Sequence, residues 1–253
     1  MSTSREKPVT KLSRHTPDAI YYRDDSLVSD LIGKVSFIDV FMSQAFGRKC
    51  SEVEHRMVDA VLVTLMEHGM TPSAIAARLV YSSSPESLQA SVAAGLLAVG
   101  TRFVGTMEQA GVLLGEIVSA KPDGLTAAAH IVEMFRIQRT PVPGFGHHLH
   151  RPDDPRALCL LDLSRELGIA RDYVEALGLL AVQIDAASER HVTINATGAV
   201  AAVLGDMGIP ASLMRGFAVL ARVAGLISHI AEEQRDPSGR FIWDLVDNAM
   251  NPE

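Results

Sequence analysis

The sequence predicts an all-α protein, and three observations carry the prediction. Aromatic residues make up only 5% of the 253 positions. No alternating apolar/polar run lasts long enough to build a half-buried strand. Cap-and-proline starts recur ahead of apolar segments, the punctuation of successive helices. Residues 57–66 form a mostly apolar run that closes at Glu67-His68-Gly69. Thr71-Pro72 then restarts a helix, with cap residue and proline in the preferred order. Ser84-Pro85-Glu86 repeats the device before residues 88–99, and glycines at 95, 100 and 105 permit turns or close helix approach. The stretch 120–125 (AKPDGL) joins two helices. Asp154-Pro155 opens a helix over about 156–167, and others are predicted at about 172–187, 198–204, 212–233 and 240–247. The polar residues 1–14 read as a loose terminus. The expected organisation is a flexible segment over 1–19 followed by one domain over 20–253.

Composition narrows the function classes. At 47% hydrophobic residues, the chain can bury a large core without disulfide or metal staples. Cys50 and Cys159 match no metal spacing and no signal-peptide pattern is seen, so a reducing cytoplasmic location is the expectation. Charge interrupts the apolar runs, as Arg222 does within 216–230, which argues against a membrane span. A net charge of −7 gives no basic field to attract nucleic acid.

The most informative segment is Pro143-Gly144-Phe145-Gly146-His147-His148-Leu149-His150-Arg151-Pro152-Asp153-Asp154-Pro155-Arg156. Its glycines let the backbone turn sharply and approach a ligand. It presents His147, Arg151 and Arg156 beside a helix N-terminus, where anions are favoured. Such a loop suits an anionic substrate whose chemistry needs a proton donor or acceptor. Plainer readings stand beside this one. His68 by position alone is a satisfied structural histidine, and Arg151 and Arg156 alone fit ordinary surface charge. Arg222 in an apolar helix needs an anion, either a ligand or a structural partner. His229, Glu232 and Glu233 read as a solvated helix end. No carboxylate or cysteine completes a metal spacing around His147, His148 and His150, so no metal is assigned.

Taken in order, several landmarks resemble one family. They are Leu31-Ile32-Gly33-Lys34-Val35-Ser36-Phe37, Glu67-His68-Gly69, the glycine-punctuated stretch 95–105, the 144–156 loop, Ile194-Asn195-Ala196-Thr197-Gly198-Ala199, and 221–229 (ARVAGLISH). Over residues 20–244 the chain resembles the citrate synthase superfamily, and within it the citryl-CoA lyase branch, which includes the C-terminal module of ATP-citrate lyase. The short length and the lack of a Leu-His-Gly motif at Val104-Gly105 both look like the lyase branch. The resemblance implies a large helical core with a smaller helical subdomain, and a homodimer or homotetramer. It implies coenzyme A as the carrier of substrate and product, with Phe145, Gly146 and Arg151 on the CoA side. His68 would hydrogen-bond the oxaloacetate or citryl group, and His147 would exchange a proton with its carbonyl or hydroxyl oxygen. Arg156 and Arg222 would clamp carboxylates, and Arg240 would reach a neighbouring subunit's site.

One position departs from the family pattern. Asn-x-Asp-Gly becomes Asn195-Ala196-Thr197-Gly198, and the family aspartate takes the methyl proton of acetyl-CoA. A threonine hydroxyl does not titrate near neutrality and cannot serve as that base. Glu67 and Glu108 are the candidate replacements. Cleavage is the expected reaction, since His147 would accept the hydroxyl proton of a 3-hydroxy-3-carboxyacyl-CoA such as citryl-CoA and release acetyl-CoA and a 2-oxo acid such as oxaloacetate. The alternative is a non-catalytic or divergent protein that binds acyl-CoA or organic acids. A synthase-type acyl transferase is the third reading.

Overall fold

The computed structural model describes residues 9–101 and 105–251. Arg102, Phe103 and Val104 of the 95–105 landmark lie outside the described residues. The chain divides into two compact units, Met1–Asp59 and Ala60–Glu253.

The first unit holds an element that composition did not reveal, a three-stranded antiparallel sheet. Its strands are β1 (Ser13–His15), β2 (Ile20–Tyr22) and β3 (Asp25–Ser26), with Ser13 opposite Tyr22 and Tyr21 opposite Ser26. Strands of two or three residues are too short to establish a period of two, which is why the pattern escapes a sequence reading. The β1–β2 turn closes through the Thr16 N–H on the Ala19 carbonyl at 2.8 Å, and the Arg14 guanidinium lies 3.7 Å over the Tyr21 ring. A π-helical turn (Leu27–Leu31) leads to α1 (Phe37–Phe46). Ser36 caps α1 by accepting the Asp39 N–H at 3.1 Å, and Gly47 ends it at φ 69°.

The division falls inside α2 (Glu52–Met66), after which the named elements of the second unit's described residues are all helices. Its helices are α3 (Pro72–Ser83), α4 (Leu88–Leu97), α5 (Gly105–Ser119), α6 (Gly124–Gln138), α7 (Pro155–Glu166), α8 (Asp172–Ser188), α9 (Ala196–Asp206), α10 (Ala211–Glu233) and α11 (Gly239–Met250). Two cap-and-proline starts are realised as read: Thr71 accepts the Ala74 N–H at 3.5 Å and Asp154 the Arg156 N–H at 3.0 Å. The third is not. The Ser84 N–H bonds the Val80 carbonyl at 3.0 Å and closes α3, while α4 still begins at Leu88 as read, behind Ser87, whose side chain makes no cap bond.

α9 is the buried centre, packed against α5, α7 and α8. Ala199, Val200, Ala201, Ala202, Val203 and Leu204 have no exposed surface. Alanines and glycines admit three neighbours at once: a Cβ on Gly205 would lie 2.3 Å from the Tyr173 ring. Each fully buried valine or leucine contributes about 1.5–3 kcal/mol. α10 is long and apolar enough by composition to cross a membrane. It packs on α3, α4 and α5, burying Phe217, Ala221, Leu226 and Ile230.

Candidate active site

The site is built at the start of α7. Asp154 is fully buried and caps the helix, yet its carboxylate serves more than the cap. One oxygen accepts the Arg156 N–H and Nε, both at 3.0 Å. The other accepts Arg156 Nη2 at 2.8 Å and the Ala196 N–H of α9 at 3.1 Å. Burial alone would push this carboxyl's pKa up, but the Arg156 and Ala196 donors outweigh it and hold the pKa below the ordinary value. Asp154 therefore ties the loop, α7 and α9 into one frame.

That frame sets the Arg156 guanidinium between two histidines. Nη1 lies 3.4 Å from His68 Nδ1, and Nη2 lies 3.3 Å from His147 Nε2. The two rings stand edge to face with centroids 6.2 Å apart. His147 Nδ1 accepts the Leu149 N–H at 3.1 Å and the His150 N–H at 2.9 Å. Two backbone donors on one nitrogen leave the ring proton on Nε2. The contact between His147 Nε2 and Arg156 Nη2 is then donor against donor. Arginine carries no acceptor, so His68 Nδ1 is also bare and its Nε2 carries the proton.

Both imidazoles are held neutral. The His68 pKa is lowered by burial first, then by the Arg156 and Arg222 charges. The His147 pKa is lowered by burial and by His150 and Arg156, against an opposing pull from Asp154.

Arg222 sits on α10, half-buried, and its buried Nη1 has no hydrogen-bond partner among the described residues. Burial lowers its pKa, with the Glu67 charge acting the other way. Guanidinium remains protonated at any working pH, so the unpaired nitrogen calls for an anion. Gly225 shows how Arg222 reaches this place. A Cβ there would lie 2.0 Å from the Met66 carbonyl, so only glycine lets α10 lie against the Met66-Glu67-His68 turn.

The loop backbone is fixed by α9 and the strand-like segment before it. Gly144 adopts φ 89°, and a Cβ on Gly198 would lie 2.4 Å from the Gly144 carbonyl oxygen. The Gly146 N–H donates to the Thr193 carbonyl at 2.7 Å, and the Gly146 carbonyl accepts Asn195 Nδ2 at 3.0 Å. Phe145 is buried and bridged to Ile194, so its ring anchors the loop in the core.

Thr197 lies in the first turn of α9. Its hydroxyl donates to Asn195 Oδ1 at 2.7 Å and stands 3.2 Å from the Thr106 hydroxyl on α5. Neither candidate replacement carboxylate is idle. Glu67 Oε1 accepts from His229 Nε2 at 3.0 Å and from the Gly69 N–H at 2.6 Å, and Glu108 pairs with Arg215 at 2.9 Å.

His68, His147, Arg156 and Arg222 thus converge, with Thr197 held at the Asn195 cap. Arg151 is exposed in the loop. Arg240 is not brought to the cluster by its described contacts: 76% exposed on α11, it pairs with Asp244 at 2.9 Å. The solvated helix end expected at His229, Glu232 and Glu233 is corrected for two of the three. His229 and Glu233 are buried, because Arg78 of α3 and the Ser238-Gly239 start of α11 close over them. Asp154, read only as a cap, is the organiser that the sequence reading missed. The pattern Asp-Pro-Arg was the available signal.

Comparison with known proteins agrees with this arrangement. The family model for the citrate synthase C-terminal domain matches residues 12–243. The structure of citryl-CoA lyase from Hydrogenobacter thermophilus superposes with a TM-score of 0.83 at 34% identity, covering 91% of this chain and 88% of that one. ATP citrate lyase of Methanosaeta concilii, solved in complex with (3S)-citryl-CoA, shares the fold at 19% identity and a TM-score of 0.76, over 91% of this chain and 40% of that one. A probable ATP-citrate synthase subunit 1 of Neurospora crassa is 25% identical over 226 residues, which are 79% of this chain and 32% of that one. The chain therefore spans about a third of that relative's length. On the family match and the lyase superposition together, the chain belongs to the citrate synthase family.

Proposed function

We propose that this protein is a citryl-CoA lyase-type enzyme that cleaves a 3-hydroxy-3-carboxyacyl-CoA into acetyl-CoA and a 2-oxo acid, with citryl-CoA and oxaloacetate as the leading pair. The observation that carries the reading is a set of donors with no acceptor between them among the described residues: Arg156 Nη2 against His147 Nε2–H, and buried Arg222 Nη1 without a partner. A polycarboxylate satisfies them all, because guanidinium forks pair with carboxylates bidentately.

In cleavage, the bond from the hydroxyl-bearing carbon to the methylene on the CoA side breaks. Its electron pair passes to the thioester enolate, and the hydroxyl oxygen becomes the ketone oxygen of the 2-oxo acid. The proton leaving the hydroxyl balances the one taken up by the enolate carbon. His147 Nε2 already carries its proton, so this histidine donates a hydrogen bond to the developing carbonyl oxygen. That differs from the expectation that it accepts the hydroxyl proton. Water carries that proton, since Thr197 offers no titrating group. Arg156, Arg222 and His68 hold the carboxylates, and CoA would lie toward Arg151 and the Phe145-Gly146 backbone. The exposed Phe241, Trp243 and Leu245 on α11 support assembly with further copies of the chain.

Incubation with citryl-CoA, followed by mass spectrometry of acetyl-CoA and oxaloacetate, tests the reading. We expect products that His147→Ala abolishes; intact citryl-CoA overturns it. Thr197 favours one second reading, a protein that binds such ligands without turnover. Thr197→Asp separates the two, because gain of acetyl-CoA condensation requires a site otherwise complete.

A further inference from the structure

A buried chain of charges runs from the start of α11 to the turn that holds His68. Arg78 on α3 is 3% exposed. Its Nη1 donates to Glu233 Oε2 at 2.9 Å, its Nη2 to Glu232, and its Nε to His229 Nδ1 at 3.0 Å. Because guanidinium only donates, His229 Nδ1 is the bare nitrogen and Nε2 carries the proton. That proton points at Glu67 Oε1, 3.0 Å away. The same oxygen takes the Gly69 N–H at 2.6 Å and so closes the Glu67-His68-Gly69 turn.

Glu233 does not need this extension. Its Oε1 accepts the Ser238 and Gly239 N–H groups, each at 2.7 Å, and its Oε2 accepts Arg78 and the Ser238 hydroxyl at 2.6 Å. A charge cluster serving α11 alone would be complete without His229. The link through His229 serves the other end, where Glu67 precedes His68 in sequence and acts on the Arg222 charge.

We propose that His229, its tautomer set by Arg78, is a positioning residue that fixes the Glu67 carboxylate and thereby the His68 turn and the Arg222 charge at the carboxylate site. The inference rests on the carboxylate-binding reading above. It is the second link, from Glu67 to the site, that a purely structural cluster would lack.

Two amide variants separate these roles. In His229→Asn the side-chain oxygen keeps the acceptor for Arg78 but loses the donor to Glu67; in His229→Gln the amide keeps that donor. Both remove the imidazole from the same pocket. We measure melting temperature, hydrogen exchange of the Gly69 amide without ligand, and oxaloacetate affinity by calorimetry. The expected result is similar melting temperatures, with His229→Gln close to wild type in Gly69 exchange and affinity. His229→Asn should show faster Gly69 exchange and about tenfold weaker oxaloacetate binding, the cost of one charged hydrogen bond. Wild-type Gly69 protection in His229→Asn overturns the proposal, as does equal loss in both variants tracking melting temperature. If wild type itself does not bind oxaloacetate, the carboxylate reading fails, and the Gly69 exchange still decides whether His229 fixes Glu67.

Discussion

His147 and His229 are locked in the same tautomer by different means, and their surroundings separate a reactive site from a supporting one. His147 Nδ1 is held by two backbone amides, His229 Nδ1 by a guanidinium. Each ring therefore aims an Nε2–H outward. The proton of His229 meets a carboxylate, whereas that of His147 faces Arg156, another donor. Buried polar groups in a folded protein are normally paired. The His229 network obeys this rule, whereas buried Arg222 Nη1 has no partner among the described residues and the His147 Nε2–H faces the Arg156 donor. That difference is what the proposed anionic ligand would resolve.

The comparison predicts what breaks when each network is cut. Arg78→Met removes the guanidinium from the closed network and strands buried Glu233, so chemical denaturation should show about 3–5 kcal/mol lost. Arg156→Lys replaces a fork with a point charge in the open one. It should cost about a hundredfold in kcat/KM with a smaller change in stability. The acid limb of the cleavage rate sharpens the contrast. Protonating His147 would place a hydrogen on Nδ1 against the Leu149 and His150 N–H groups. Because burial and neighbouring charge lower its pKa, the neutral form persists below the ordinary histidine value of about 6.5. The pH–rate profile should stay level through pH 7 and fall only below about 6.5.

The smallest effect lies at His191, which bridges Asp185 at 2.8 Å and Asp153 at 3.1 Å beside the loop. Here the hydrogen bonds from Asp185 and then Asp153 raise the histidine pKa. A raised folded pKa gives stability that is present below the unfolded value and lost as pH rises through the folded one. Wild type should therefore exceed His191→Gln by about 0.5 kcal/mol near pH 5.5, a modest amount because the pair is exposed, and by nothing near pH 9.

How much of this was legible depended on chain distance. The caps at Thr71 and Asp154 and the loop residues His147 and Arg156 announce themselves within a few positions, because capping and turn chemistry are local. His229 pairs with Arg78 across 151 positions, so its partner cannot be read from 221–233 alone. One trace was present: Arg222, Gly225, His229 and Glu233 fall on one helical face, three to four residues apart. The second duty of Asp154, on the Ala196 N–H, was equally out of reach, spanning 42 positions. Arg240 was read for a role in a neighbouring subunit, and within one chain it stays with Asp244.

Histidine-selective nitrogen-15 NMR with and without oxaloacetate decides whether His147 and His68 line a carboxylate site. His147 and His229 should both appear as Nε2–H tautomers in the free protein. Oxaloacetate should then shift the His147 and His68 resonances and leave His229 in place. A His147 ring protonated on Nδ1, or one that oxaloacetate leaves unmoved, would contradict that assignment.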